Sequence, residues 1–198
     1  MNVMKQNNYS ISKACFTIYS EVFNNKECEE ICERQIDKDI VYNDKESIVS
    51  NFKNSTDRFS YQTCILNDAE DLEKKLIAYV FDCNSKIYGY DIWGIEEDIK
   101  VLTFKEGDFL REHERTLWYS PEPNDRKLTC YVFLNNEESY NGGHFKASQN
   151  LDVKPLTHGY NKQGNILIYP SFVSLSIERI GYGFMQLLTF DIIGPKLR

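Results

Sequence analysis

The chain has little of what usually announces a site. Its 198 residues hold three histidines, His113, His144 and His158, so any centre built on paired imidazoles has to draw on these. The six cysteines, Cys15, Cys28, Cys32, Cys64, Cys83 and Cys130, form no disulfide framework. Cys28 and Cys32 share a helix face, but no second Cys or His pair stands at structural-zinc spacing from them. Free thiols in a reducing compartment are expected. The 23 Lys and Arg against 30 Asp and Glu leave a net charge of −7, and the basic residues are scattered without a stripe. That argues against a phosphate-binding or nucleic-acid-binding protein, which needs clustered cations. No apolar run is long enough to cross a bilayer, and the opening MNVMKQNNYSISK lacks the apolar stretch of a secretory signal. The expectation is a soluble, cytoplasmic protein. There is no internal repeat, low-complexity tract or linker, and the length fits one domain, 1–198, that buries its core without metal or disulfide.

What is present begins with two helix signals. Asn24 or Asn25 can cap a helix over Lys26 to Asp37, with Glu27, Glu29 and Glu30 at its positive end. Asp68 can cap a second, in which Leu72, Leu76, Val80 and Cys83 recur at helical spacing opposite Glu70, Asp71, Glu73, Lys74 and Lys75. The stretch Ala14 to Tyr19 reads as a strand or as a short helix. Lys38 to Asn67 alternates in the manner of short strands and turns, and almost everything after the second helix is strand-like. Turn signals fall at Pro121 to Asp125, Asn141 to Gly143 and His158 to Asn161, and Phe184 to Ile193 reads as a long buried strand. Helices followed by many strands fit helices packed on one face of an antiparallel sandwich, an α+β, mainly β class.

Val101 to Asp108, VLTFKEGD, runs into Phe109-Leu110-Arg111-Glu112-His113-Glu114-Arg115. This resembles the first iron-binding segment of the prolyl 4-hydroxylase type of Fe(II)/2-oxoglutarate dioxygenases, an aromatic-x-x-Gly-Asp-Phe run leading into His-x-Asp. The resemblance extends from about Ser50 to Pro195 through Asp57-Arg58-Phe59-Ser60, Ile65 to Asp68, Trp93-Gly94-Ile95, Arg126 to Asn135, Tyr140 to Phe145 and Gly164 to Ser171, in the family's order. It implies a double-stranded β-helix, or jelly roll, with N-terminal helices on one face.

The same alignment of motifs implies a lost site. Such enzymes hold ferrous iron by two imidazoles and one carboxylate. His113 is retained as a weak metal candidate. Arg115 stands where the carboxylate is expected, and a guanidinium has no lone pair to give. Leu175 stands at the second histidine. Met185 replaces the Arg that grips the far carboxylate of 2-oxoglutarate, and Phe104 replaces the Tyr that assists it. Neighbouring strand residues face opposite ways, so Glu112 and Glu114 are poorly placed to substitute. Glu178 or Arg179 is expected to meet Arg115 across the former pocket as a structural remnant, with Glu178 the one of the two that carries the charge an ion pair needs.

The resemblance therefore implies a degenerate member without metal, cofactor or catalytic residues, a protein-binding module of the kind some large DNA viruses turn on host proteins. Leu117, Trp118 and Tyr119, between prolines near the pocket mouth, are the candidate partner-binding residues. They equally suit a lid folded over the pocket. Two alternatives stay open: an Fe(II)/2-oxoglutarate-dependent protein hydroxylase using His113 with His144 or His158, and a small-molecule sensor if Tyr131, Tyr169 or Tyr182 line a cavity.

Overall fold

The computed structural model describes residues 9–11, 16–34, 40–41, 61–66, 69–96, 99–116, 121–149, 152–156 and 159–196. Along the chain come β1 (Tyr9–Ile11), β2 (Thr17–Tyr19), α1 (Asn25–Glu33), β3 (Ile40–Val41), β4 (Gln62–Ile65) and α2 (Glu70–Cys83). A π-helical turn (Asn84–Tyr88) leads to β5 (Gly94–Ile95), β6 (Lys100–Lys105), β7 (Leu110–His113) and β8 (Asn124–Phe133). A 3-10 turn (Glu137–Ser139) precedes β9 (Tyr140–Gly142), β10 (Phe145–Gln149), β11 (Asp152–Pro155), β12 (Ile166–Pro170), β13 (Ser174–Ile177) and β14 (Ile180–Pro195).

The strands form two sheets. The larger has ten strands, in the order β1-β2-β12-β8-β14-β6-β4-β3, with β5 and β9 also paired to β14; the smaller has the order β11-β10-β13-β7. The paired strands run antiparallel. This is the double-stranded β-helix with helices on one face that the sequence predicts.

Alternation along β14 separates two cores. Leu188, Phe190 and Ile192 turn toward Cys28 and Ile31 of α1 and Leu72, Leu76 and Val80 of α2. Met185 and Leu187 turn the other way, into the space shared with Phe145, Leu175 and Ile177 of the smaller sheet. Period-two alternation lets one strand serve both layers.

Local chemistry explains the helix ends. Asn24 accepts from the Glu27 amide at 3.0 Å while Glu27 accepts from the Asn24 amide at 2.8 Å, a reciprocal capping box. The second helix starts differently from expectation: its cap is Ala69, which offers no side-chain bond, and Asp68 lies outside the described residues. Acidic Glu70, Asp71 and Glu73 then suit the helix dipole. The ambiguous Ala14 to Tyr19 stretch yields a strand, β2, which pairs with β12. Asn124 and Asp125, expected in a turn, open β8 instead and pair with Pro195 and Gly194.

Where the loop before α1 crosses the sheet, Val22 and Phe23 donate to the Gly164 carbonyl at 3.0 and 3.1 Å. Gly164 has φ +81°, and a Cβ there would sit 1.9 Å from the Phe23 oxygen, so only glycine fits. Among the described residues, no helix is long and apolar enough to cross a membrane.

Candidate functional site

The retained His113 and three of the replaced positions, Phe104, Leu175 and Met185, are spread over 82 residues, yet the sheets set them in two cross-strand pairs. His113 at the end of β7 faces Leu175 of β13. Phe104 of β6 faces Met185 of β14. Phe104, Leu175 and Met185 are each fully buried in the inter-sheet core, so the Phe104–Met185 pair fills with apolar bulk the place expected to hold a dicarboxylate.

Immediately after β7 the Arg115 guanidinium turns inward. Its Nε lies 3.0 Å from both carboxylate oxygens of Asp191 and its Nη2 lies 2.5 Å from Oδ2. The backbone fixes that entry, because the Arg115 amide donates to the Ser171 carbonyl at 2.9 Å. Asp191 sits on β14, so one ion pair links the segment leaving the smaller sheet to the middle of the larger one. The expectation that Glu178 or Arg179 would meet Arg115 is corrected: Glu178 pairs with Lys146 at 2.6 Å, and Arg179 donates to the Gly107 carbonyl and stacks on Phe109. Both belong to the β13–β14 connection, whose side chains leave the inter-sheet space.

Asp191 is the functional residue the sequence reading missed. It is 6% exposed, and every partner around it donates. Thr129 Oγ1 donates to its Oδ1 at 2.8 Å, which leaves the Ser171 hydroxyl, 2.9 Å from Thr129 Oγ1, to donate to Thr129 in turn. Arg126 Nε lies 3.4 Å from Oδ2 and also grips Glu96. A lone Asp in an otherwise apolar closing strand was the available signal, since a buried carboxylate demands partners.

Charge follows this geometry. Burial opposes the charge on Arg115, but the Asp191 carboxylate overrides it and holds the guanidinium protonated at still higher pH than usual. His113 is held below the ordinary imidazole value chiefly by burial; the Arg111 carbonyl opposes this in part, and the Arg115 charge adds a smaller push in the same direction as burial. Its Nδ1 lies 2.9 Å from the Arg111 carbonyl, so Nδ1 carries the proton of the neutral ring.

The donor set does not fit ferrous iron. Arg115 cannot ligate, Leu175 has no donor atom, and the buried carboxylate beside Arg115, Asp191, is committed to Arg115 and Thr129. Among the described residues no group of three or more His, Cys, Asp and Glu is placed to hold a metal. Glu112, Glu114 and His144 are exposed. His158 and the expected docking residues Leu117, Trp118 and Tyr119 lie outside the described residues.

Comparison of the sequence with family models and with curated proteins finds no match. Comparison of the structure finds several. A viral collagen prolyl hydroxylase from Paramecium bursaria Chlorella virus-1, in complex with 2-oxoglutarate, superposes with TM-score 0.63 at 14% identity, covering 93% of this chain and 98% of its own. A prolyl-4-hydroxylase from Pseudomonas putida gives 0.63 at 10% identity, covering 93% and 95%. A prolyl hydroxylase from Trichoplax adhaerens, in complex with a hypoxia inducible factor peptide fragment, gives 0.66 at 14% identity, covering 92% and 84%. The fold is that of the prolyl hydroxylases. In this prolyl hydroxylase fold the apolar Phe104–Met185 pair and the Arg115–Asp191 ion pair occupy the space between the sheets.

Among the described residues the cysteines play no part in the site, and Cys28, Cys32, Cys83 and Cys130 are free thiols. Burial pushes Cys28 up to about 12 and Cys32 up to about 11, away from the thiolate that ligates metals.

Proposed function

We propose that this chain is a pseudoenzyme of the oxygenase fold, without ferrous iron or 2-oxoglutarate chemistry, that works as a protein-binding module. The observation that carries the reading is the Arg115–Asp191 ion pair: a cation stands where a metal would need a carboxylate, and the nearby carboxylate is consumed in balancing it. A guanidinium beside the metal position would also repel a divalent cation.

Two observations support a protein as what is bound. The Trichoplax neighbour holds a peptide fragment on the same fold. Phe172, Tyr182 and Phe184 are exposed at 38%, 55% and 45%, and exposed aromatics are frequent interface anchors. Phe172 follows Ser171, whose carbonyl accepts from Thr116, the residue that precedes Leu117, Trp118 and Tyr119 in the chain. That segment is the proposed docking element, and a host protein is the proposed partner.

The test has two arms. Protein supplied with ferrous iron, ascorbate, oxygen and 2-oxoglutarate should form no succinate above the buffer blank; turnover would favour an oxygenase ligated by His113 with His144 or His158. A partner captured by the intact chain should be lost on alanine substitution of Leu117, Trp118 and Tyr119, with the thermal midpoint unchanged. Retention would remove that segment from the reading.

A further inference from the structure

The inter-sheet space holds more polar groups than it uses. Tyr131 and Tyr169 are 0% and 1% exposed, with rings stacked at 6.2 Å and 18°. Beyond a loose interaction of the two hydroxyls with each other, neither meets a partner at hydrogen-bond geometry, and the buried hydroxyls of Thr189 and Thr116 meet none. Such groups destabilise the folded chain when nothing meets them.

Strand register shows that these hydroxyls are clustered. Tyr169, Thr129 and Asp191 form one cross-strand row on β12, β8 and β14, and Leu167, Tyr131 and Thr189 form the next row on the same strands, two residues along each. Thr116 follows Arg115 directly in the chain. The Arg115 charge acts on both phenols, drawing them toward ionisation against the larger effect of burial. Arg115 engages Asp191 through Nε and Nη2, leaving Nη1 outside that contact. Apolar side chains complete the surroundings: Leu175, Phe104 and Met185 belong to the same buried cluster, and Phe145 meets the Tyr131 ring edge-on at 5.6 Å.

We propose that this cluster is a binding site for a short-chain monocarboxylate, its carboxylate received by the Tyr131 and Tyr169 hydroxyls beside Arg115 and its alkyl end against the apolar wall. Asp191 and Glu96 already balance Arg115 and Arg126, so recognition falls to the phenol O–H donors, which suit an acceptor with several lone pairs. Met185 and Phe104 exclude a second carboxylate at the far end. The proposal goes beyond the protein-binding reading and does not depend on it, since it concerns the buried face of the sheet and not the surface.

Acetate is the probe. Titrated at constant ionic strength, with sodium chloride replaced by sodium acetate, it should raise the thermal midpoint of the full chain saturably and shift tyrosine ring resonances in NMR spectra. The double variant Tyr131→Phe/Tyr169→Phe keeps both rings and loses both donors. It should fold at least as stably and bind acetate about tenfold or more weakly, the scale of hydrogen bonds to a charged acceptor. Acetamide, which has the shape without the charge, should not compete. No saturable effect of acetate, an unchanged affinity in the double variant, or equal binding of acetamide would each overturn the proposal. Succinate formation tests the pseudoenzyme reading separately, so the two can fail independently.

Discussion

Arg115 and Asp191, 76 residues apart in sequence, meet side on between the two sheets, with Arg115 Nε 3.0 Å from each oxygen of the carboxylate. A ferrous ion held by a His-x-Asp segment and a histidine on the neighbouring strand would tie together β7 and β13, both in the smaller sheet. The ion pair instead ties the end of β7 to β14 of the larger sheet, so its role is to join the layers.

Removing one partner should therefore be costly. Arg115→Ala leaves a carboxylate 6% exposed facing only Thr129 and the more distant Arg126, and should lower stability by about 3 kcal/mol, the lower end for a broken buried pair because Arg115 keeps 24% of its side chain exposed. Arg115→Leu/Asp191→Leu should recover most of that loss, because no charge is left unpaired. Urea unfolding midpoints of the three proteins measure both effects.

His113 sets a pH dependence. Its folded pKa is depressed by burial and by Arg115, so below the ordinary imidazole value of about 6.5 the unfolded chain takes up a proton that the folded chain refuses. This contribution is absent above that pH, and stability is lost progressively as the pH falls toward the depressed folded value. The thermal midpoint of His113→Gln should fall less steeply than that of the wild type between about pH 6.5 and 5. Parallel curves would remove burial of a neutral His113 from the account.

How far the sequence was readable depends on the distance over which each feature is specified. The second helix was legible because Leu72, Leu76, Val80 and Cys83 carry its buried face within one stretch. Motif order singles out His113, Leu175, Phe104 and Met185 but not their neighbours across the sheets, which set His113 opposite Leu175 and Phe104 opposite Met185. Asp191 was not legible, because nothing local relates it to Arg115. Glu178 and Arg179 lie near Leu175 in sequence, but in the connection to β14 they engage Lys146, Gly107 and Phe109 instead. β2 was ambiguous because three strand residues beside a helix cap carry too little periodicity to choose between strand and helix, and its pairing with β12 decides it.

Gly164 gives a test of the packing that supports β12. Gly164→Ala places a Cβ 1.9 Å from the Phe23 carbonyl at φ +81°, a conformation that alone costs about 1 to 2 kcal/mol for a residue with a side chain. Displacement of the Val22 and Phe23 amides should bring the total to about 3 kcal/mol or more, the range of backbone-incompatible substitutions. Gly159→Ala, with nothing within 4 Å of the added carbon, should cost only the strain of its positive φ. Thermal unfolding of the pair separates collision from strain.

Rebuilding the site tests the same logic in reverse. Arg115→Asp/Leu175→His supplies the missing ligands beside His113 but leaves Asp191 without its cation, so the protein should be less stable than the wild type and bind metal weakly. Adding Asp191→Asn removes the stranded charge and should restore folding together with about one equivalent of divalent metal, the expectation for a completed two-histidine, one-carboxylate set. Cobalt(II) absorption reports binding without turnover.

The central claim is that this prolyl hydroxylase fold does not perform ferrous chemistry. Anaerobic titration of the metal-free protein with ferrous iron, with and without 2-oxoglutarate, tests it most directly through metal stoichiometry and the iron-to-2-oxoglutarate charge-transfer absorbance. The Arg115–Asp191 pair predicts no stoichiometric binding and no such absorbance. One tightly bound iron accompanied by that absorbance would contradict the account and return the chain to the oxygenases.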